Sequence, residues 1–171
     1  MIEVEKENTS LKEHLNCTRK NLKNNFPKIV SNLFNKITQN NVTKTSVKSI
    51  FSLSKKPAIS IEKYLLRFIH HSKASTSTLI ISIIYLDRIK IENFYITTTS
   101  IHRLFLAAFV VALKYNEDKI FLNNFYSLLG GVSMKDLKKL EQEFLKYLDY
   151  RLYVDEILYN TYVNSLLEFD K

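Results

Sequence analysis

The chain is poor in the residues that interrupt or cross-link a fold. Its 171 residues include two glycines, two prolines and one cysteine. Because glycine and proline supply most tight turns, their scarcity argues against hairpins and barrels and favours long helices with short polar connections. The single cysteine, Cys17, excludes an internal disulfide and has no second thiol nearby for zinc, which is consistent with a reducing compartment.

Long apolar runs are absent as well. The longest, residues 104–113, contains ten residues, about half of the ~20 that a transmembrane helix needs. Residues 1–6 lack the charged-then-apolar pattern of a secretion signal. We therefore expect a soluble protein of the cytoplasm, the nucleus or both, without a membrane partner.

The remaining composition describes one globular domain with a substantial core, at 46% hydrophobic and 25% charged residues. A net charge of +8 raises the question of nucleic-acid binding. The cations are scattered, however, and form no arginine-rich helix or aromatic stripe of the kind that single-strand binders use. The most concentrated basic stretch comprises Lys44, Lys48, Lys55 and Lys56. We expect no nucleic-acid partner.

Hydrophobic periodicity divides the chain into three parts. Residues 1–25 are charged and weakly periodic, and we interpret them as a mobile or loosely helical arm. Residues 26–56 contain a helix that begins at Pro27, because proline fits a first helical turn, and a polar connector. Residues 57–171 form the third part. Its predicted helices cover residues 60–71, 76–89, 97–115 (with the threonines at 97–99 as caps), 123–129 and 133–150, followed by a last helix capped by Asp155.

The most informative pair of charges flanks the predicted core. The run 104–113 has no polar face, which places it at the centre of a bundle. It ends at Lys114, where a charge beside a core is costly and usually has a partner. Glu141 follows one amphipathic helix later. These features favour a docking surface over a catalytic cleft.

Both glycines lie between these two charges. Gly130 and Gly131 are predicted to end the fourth helix of the third part by allowing positive φ. Ser133, with Asp136 three residues later, starts the fifth helix in the manner of a capping box. The glycines therefore mark where one helix stops and the next begins.

The sequence carries no catalytic or cofactor signature. His70 and His71 have no ligand partner at i+4 and no nearby cysteine, so we expect no metal site. The two glycines lack the Lys-Ser/Thr sequence that a phosphate-binding loop needs, and no triad signature is present. We expect neither enzymatic activity nor a cofactor.

Four stretches of the chain occur in an order and spacing that are typical of one family. They are residues 57–65, 85–88, 101–104 with 112–115, and 123–132 leading into 140–148. In these stretches, which extend over more than half of the chain, the sequence resembles the cyclin box and in detail that of the P-type (P/U) cyclins. The resemblance implies an all-α fold with a single cyclin box of five helices, flanked by an N-terminal and a C-terminal helix.

The resemblance also implies a function, that of a regulatory subunit of a cyclin-dependent serine/threonine protein kinase. In this family the third to fifth helices of the box pack on the kinase αC helix and turn it inward, so that its glutamate pairs with the phosphate-anchoring lysine. The lysine and glutamate that the family places beside the kinase helix correspond to Lys114 and Glu141. Its apolar kinase contacts correspond to Tyr115, Tyr150 and Leu152.

Other interpretations of these residues stay open. Lys114 also suits the C-terminal dipole of a buried helix. Glu141 also suits an ordinary exposed position on a helix, and Tyr150 and Leu152 also suit positions in the core. The family gives Asp87 a structural role, through a pair with Arg88 or as the cap of a neighbouring helix.

Two other functions are alternatives to kinase activation. One is a cyclin-like transcription factor or adaptor that contacts nucleic acid through the basic stretch. The other is a scaffold that binds a kinase without activating it.

Overall fold

A computed structural model describes residues 22–41, 49–89, 91 and 94–169. Within these residues, all regular structure is helical, which confirms the predicted all-α class. The helices are α1 over residues 22–40, α2 Ile61–Ser72, α3 Thr76–Arg88, α4 Ile101–Asn116, α5 Asn123–Gly130, α6 Met134–Tyr147 and α7 Glu156–Glu168.

Helix α1 begins earlier than the sequence analysis predicts. The chain is already helical at residue 22, so Pro27 lies inside the helix and does not open it. Leu22, Phe26 and Ile29 are buried, and their i, i+4, i+7 spacing extends the apolar face of the helix toward the N-terminus. Burial of this face offsets the hydrogen bond that proline cannot donate. Residues 1–21, most of the predicted arm, lie outside the described residues.

Helix α4 is the centre of the molecule. Every residue from Leu104 to Leu113 is buried, as the apolar run predicts. Helices α3 and α6 make its most extensive contacts, and α2 and α5 pack against it as well. Phe68 of α2 meets Phe105 and Phe109 of α4 edge-on, at interplanar angles of 88° and 72°. A helix enclosed on several sides gives the residues at its end a fixed position.

Side-chain caps start four of the helices. Ser60, Ser75, Ser133 and Asp155 accept hydrogen bonds from the backbone N–H groups of Lys63, Thr78, Asp136 and Leu158, respectively. The prediction for α4 was wrong, since its cap is Ser100 and makes no side-chain capping bond. With φ −110° and ψ −27°, Ser100 is already helical, and its hydroxyl accepts the N–H of Thr97 at 3.0 Å instead.

The two glycines have different structural tasks. Gly131 has a φ of 68° and ends α5, as predicted. Gly130 is still helical, and a Cβ on it would lie 2.5 Å from Cδ2 of Leu106. Gly130 therefore lets α5 approach α4 closely, and the change of chain direction is made by Gly131 alone.

Helix α6 ends at Tyr147, three residues before the predicted end near Tyr150. Asp149 and Tyr150 both have positive φ, 54° and 53°, so the chain leaves the helix in a left-handed turn. This turn leads to the irregular segment 151–155 that precedes α7. Among the described helices, none combines the length and apolar content required to cross a membrane.

Candidate functional site

Lys114 and Glu141 form an ion pair that joins α4 to α6. The Lys114 Nζ lies 2.7 Å from each carboxylate oxygen of Glu141, across 27 positions of sequence. The side chain of Lys114 is 30% exposed and that of Glu141 is 15% exposed. Charge-assisted bonds to both oxygens are shorter and stronger than neutral ones. The two charges are thus held in one arrangement at a partly buried place.

Local sequence explains why both charges stand at this edge. Lys114 follows the last buried residue of α4 and lies in its final turn, where a cation interacts favourably with the helix dipole. Glu141 follows Leu140, on the flank of the buried α6 stripe that also contains Leu137 and Phe144. Both side chains therefore emerge where the apolar faces of the two helices meet solvent.

A groove beside this pair brings the other predicted contact residues together. Tyr115, Tyr150 and Leu152 all line it, and its volume is about 790 Å³. Tyr115 is 53% exposed and Tyr150 is 65% exposed, so neither is a core residue. Leu152 is half-buried and packs against the core. Lys114 and Glu141 do not line the groove, but Lys114 is adjacent to Tyr115 in the chain.

Asp87 connects two helices across the groove. Its carboxylate accepts a hydrogen bond from the Tyr162 hydroxyl of α7, and burial together with this bond raises the pKa of Tyr162 to about 12. Arg88 does not pair with Asp87; its Nη1 donates to the backbone carbonyls of Arg151 at 3.0 Å and Tyr153 at 2.8 Å. These bonds hold the irregular segment after α6 against α3.

Sequence reasoning missed one residue at this end of α4. Oε1 of Glu117 accepts the backbone N–H of Ser75 at 2.8 Å and the hydroxyl of Thr78. Burial raises the pKa of Glu117, but the bonds from Ser75 and Thr78 outweigh burial and leave it below the ordinary value. Glu117 therefore caps α3 from the end of α4. An acid after a helix was visible in the sequence, but its partner 42 positions away was not.

The basic stretch is only partly described. Lys55 and Lys56 are exposed on the connector, whereas Lys44 and Lys48 lie outside the described residues. In the part of the chain that the structure describes, no three His, Cys, Asp or Glu side chains are grouped so that they could hold a metal ion.

Comparison with known proteins gives one family. A family model described as Cyclin matches residues 8–152. Cyclin-P3-1 of Oryza sativa subsp. japonica is 36% identical over 111 residues, which are 64% of this chain and 47% of that protein. Cyclin-U2-2 of Arabidopsis thaliana is 34% identical over 108 residues (62% and 47%), and Cyclin-U1-1 of the same plant is 35% identical over 108 residues (62% and 51%). The chain spans about half the length of these relatives.

The match agrees with the architecture. It includes α2 to α6, the five helices that the resemblance assigns to the box, and α1 before them. It also includes every residue of the ion pair and of the groove up to Leu152. Neither the family description nor the names of these relatives refer to nucleic acid. The chain belongs to the cyclin family, and its similarity to P- and U-type members confirms the resemblance found in the sequence.

Proposed function

We propose that this protein is the regulatory subunit of a cyclin-dependent serine/threonine protein kinase, which it binds and activates by packing on the kinase αC helix. The observation that carries the proposal is the Lys114–Glu141 ion pair, fixed between α4 and α6 beside exposed aromatic side chains. Membership of the cyclin family supports the class of partner.

The ion pair keeps hydrogen-bonding capacity for a partner. An ammonium group has about three donors and a carboxylate about four acceptor positions, and the pair uses two of each. Lys114 can therefore donate to a backbone carbonyl of another chain while Glu141 accepts a backbone N–H. Because the two charges already neutralise each other, neither must be brought unpaired into the interface.

The residues around the pair supply the apolar part of the interface. Tyr115 and Tyr150 are exposed aromatic side chains on well-anchored backbone, the type of residue that concentrates binding energy at interfaces. Leu152 adds an aliphatic contact at the groove. Since α4 is enclosed by its neighbours, this surface is rigid enough to hold the kinase helix in its inward position.

The division of labour follows from that contact. The kinase supplies the catalytic residues, and the inward αC helix lets its glutamate pair with the phosphate-anchoring lysine. The cyclin needs no catalytic group, metal or cofactor for this task. We place the heterodimer in the cytoplasm, the nucleus or both.

The double variant Lys114→Ala/Glu141→Ala tests the surface. Tagged full-length protein would be purified from its native cells, and the kinase in the eluate would be measured by its amount and its phosphorylation of a generic substrate. We expect both quantities to fall at least tenfold for the variant. Undiminished kinase recovery and activity would show that this surface is not the docking site.

A second Lys–Glu pair provides a matched control. Glu143 and Lys146 both lie on α6, and the distance between Oε1 and Nζ is again 2.7 Å, but their side chains are 32% and 61% exposed. The variant Glu143→Ala/Lys146→Ala changes the same charges at a different place and should recover active kinase normally. A wild-type eluate that contains kinase without activity would favour a scaffold over an activator.

A further inference from the structure

A small cavity with two arginines lies between the connector, α2, the start of α4 and the end of α5. Its volume is about 200 Å³, and Arg67 and Arg103 line it. The lining contains no aspartate or glutamate, and the acid nearest to it in sequence, Glu62, lines a different cavity. The cavity shares no residue with the ion pair and the groove described above.

Neither arginine has a counter-ion among the described residues. Arg67 Nη1 donates to the carbonyl of Leu129 at 3.3 Å, and Arg103 Nη1 donates to the carbonyl of Ile50 at 2.9 Å. None of the ion pairs in the described part of the chain includes either arginine. Burial raises the pKa of Tyr64, and both arginines oppose this rise, so their charges lie in one neighbourhood. The cavity therefore holds two uncompensated positive charges.

Most of the other donors of the two arginines can be reached from outside. A guanidinium group carries N–H donors on three nitrogen atoms, and each arginine uses only Nη1 for its backbone bond. Of the remaining nitrogens, the Nε of Arg103 alone is buried without a partner among the described residues. Nε and Nη2 of Arg67 and Nη2 of Arg103 are therefore accessible and free to donate. Neither arginine lines the groove or the cavity that contains Glu62.

The cavity opens beside Gly131. This residue is exposed, and beyond its chain neighbours no atom lies within 4 Å of the place where a Cβ would stand. The guanidinium of Arg67 is bonded to Leu129, two residues before Gly131. Arg67 thus stands at the mouth, where a group of another molecule can meet it.

Exposed lysines extend the positive surface beyond the cavity. Lys63 lies one helical turn before Arg67 on the same face of α2. Lys55 and Lys56 directly precede Pro57, which is part of the lining. A ligand that matches this surface is therefore anionic and longer than the cavity itself.

The rest of the lining narrows the choice of ligand. Leu53, Pro57, Ile59 and Val132 form apolar walls, which can bury an aliphatic side chain but offer nothing to a free inorganic anion. Pockets for small molecules measure about 300–1,000 Å³, so this cavity holds one or two side chains. Single-stranded nucleic acid requires aromatic rings on which bases stack, and Tyr64 of the lining is buried.

We propose that this cavity and the lysines beside it form a docking site for an acidic segment of a partner protein. An aliphatic side chain of the segment lies between the apolar walls, and Asp or Glu side chains next to it bind Arg67 and Arg103. Guanidinium is the group best matched to carboxylate, and such charge-assisted bonds are among the strongest hydrogen bonds in proteins. Clusters of arginine recognise acidic motifs in this way. The site is separate from the surface proposed for the kinase, so both partners can bind at once.

Fluorescence anisotropy of labelled peptides with the full chain tests the proposal at physiological ionic strength, where non-specific attraction is screened. The probe is Ser-Glu-Asp-Leu-Asp-Glu-Ser. We expect it to bind at least tenfold more tightly than the amide peptide Ser-Gln-Asn-Leu-Asn-Gln-Ser, and at least threefold more tightly than Ser-Glu-Asp-Ser-Asp-Glu-Ser. Equal binding of the acidic and amide peptides would overturn the proposal. Equal binding of the leucine and serine peptides would show that net charge alone attracts them, and would also overturn it.

Variants locate the peptide. Arg67→Gln removes one charge from the mouth and should weaken binding at least tenfold. Val132→Thr makes one wall polar at nearly the same volume and should reduce the preference for leucine over serine. Lys139→Gln, which removes an exposed charge from α6, should change nothing, and thermal melting verifies that each variant is folded.

Two further results would refute the site. Peptide binding that is the same in Arg67→Gln and the wild type would place the peptide elsewhere. An oligothymidine that displaces the peptide, binds more tightly and loses affinity in Arg67→Gln would assign the surface to nucleic acid.

Discussion

Glu117 offers a sharp test of how the end of α4 is held. Replacing it by alanine removes the acceptor for the Ser75 N–H and for the Thr78 hydroxyl, both at the start of α3. A hydrogen bond to a charged group contributes about 1.5–3 kcal/mol, and a negative charge at a helix N-terminus adds about 0.3–1 kcal/mol. Because Glu117 is half-exposed, solvent screening reduces this sum. We expect Glu117→Ala to lower the free energy of unfolding by about 2 kcal/mol.

Urea denaturation at pH 7 measures this quantity. The midpoint should fall while the slope with urea stays constant, because the change affects one contact and not the compactness of the fold. For a domain of this size, about 2 kcal/mol corresponds to a fall in Tm of roughly 4–8 °C. Glu117→Gln keeps one acceptor oxygen but loses the charge, so it should lose about half as much.

The pH dependence identifies the charge as the cause. The hydrogen bonds hold the folded-state pKa of Glu117 below its ordinary value of 4.5. A carboxyl group with a depressed pKa stabilises the fold fully above the unfolded value and loses this contribution as pH falls through the folded value. The difference in the free energy of unfolding between the wild type and Glu117→Gln should therefore be constant above pH 4.5 and shrink below it.

Two results would refute this reasoning. An advantage that does not change between pH 7 and pH 3 would mean that the charge is not responsible. A Glu117→Ala protein as stable as the wild type would mean that the cap contributes nothing. Asp118→Asn, at the exposed acid that follows Glu117 in the chain, is the matched control and should leave the midpoint unchanged.

Three further predictions concern stability. Lys114→Ala alone should lower the free energy of unfolding by about 1–2 kcal/mol, because it leaves the carboxylate of Glu141 partly buried and unpaired. Replacing both residues should lower it by less than about 1 kcal/mol. Urea denaturation compares the single and the double variant. Gly131→Ala should lower the free energy of unfolding by about 1–2 kcal/mol because of the φ of 68° at this position. Gly130→Ala should lower it by about 1–3 kcal/mol because the added Cβ would lie 2.5 Å from a methyl group of α4. Thermal melting measures both effects. Burial lowers the pKa of His102 below its ordinary 6.5, so the neutral ring contributes fully to stability above pH 6.5 and this contribution declines below it. Because glutamine does not titrate, His102→Gln should reduce the fall in Tm on acidification.

Each of these has a contrary outcome. A double replacement of the ion pair that costs more than the single Lys114→Ala variant would contradict the unpaired-carboxylate argument. A Gly131→Ala protein that melts with the wild type would show that the left-handed turn relaxes without cost. If the wild type and His102→Gln lose Tm equally as pH falls below 6.5, another group causes the loss.

Much of the helical architecture could be predicted from local sequence. The scarcity of glycine and proline excluded turn-rich folds, and the apolar run of α4 indicated the central helix. Ser60, Ser133 and Asp155 indicated where α2, α6 and α7 start, because a cap side chain bonds to the N–H three residues later. Such signals involve atoms within one helical turn, so they can be read without knowledge of the rest of the molecule.

The misses occurred where a local signal was outweighed by packing. Pro27 is a good first residue for a helix, but the burial of Leu22 and Phe26 extends α1 beyond it. The threonines at 97–99 are suitable caps, yet the backbone at Ser100 is already helical and directs its hydroxyl back to Thr97. Tyr150 belongs by periodicity to α6, but the chain turns after Tyr147. Tertiary contacts thus moved helix ends by several residues and left the helices themselves in place.

By itself the sequence determined the all-α class, the number and order of the helices in the described residues, and the cyclin family, since these follow from local periodicity and from motifs in a fixed order. Only the tertiary structure decided which side chains meet. Lys114 reaches Glu141 across 27 positions and Glu117 reaches Ser75 across 42, while Arg67 and Arg103 share one cavity. The physical reason is that a charge requires a partner but does not specify it. Only the packing of helices around α4 determines which charges and polar atoms come within hydrogen-bonding distance.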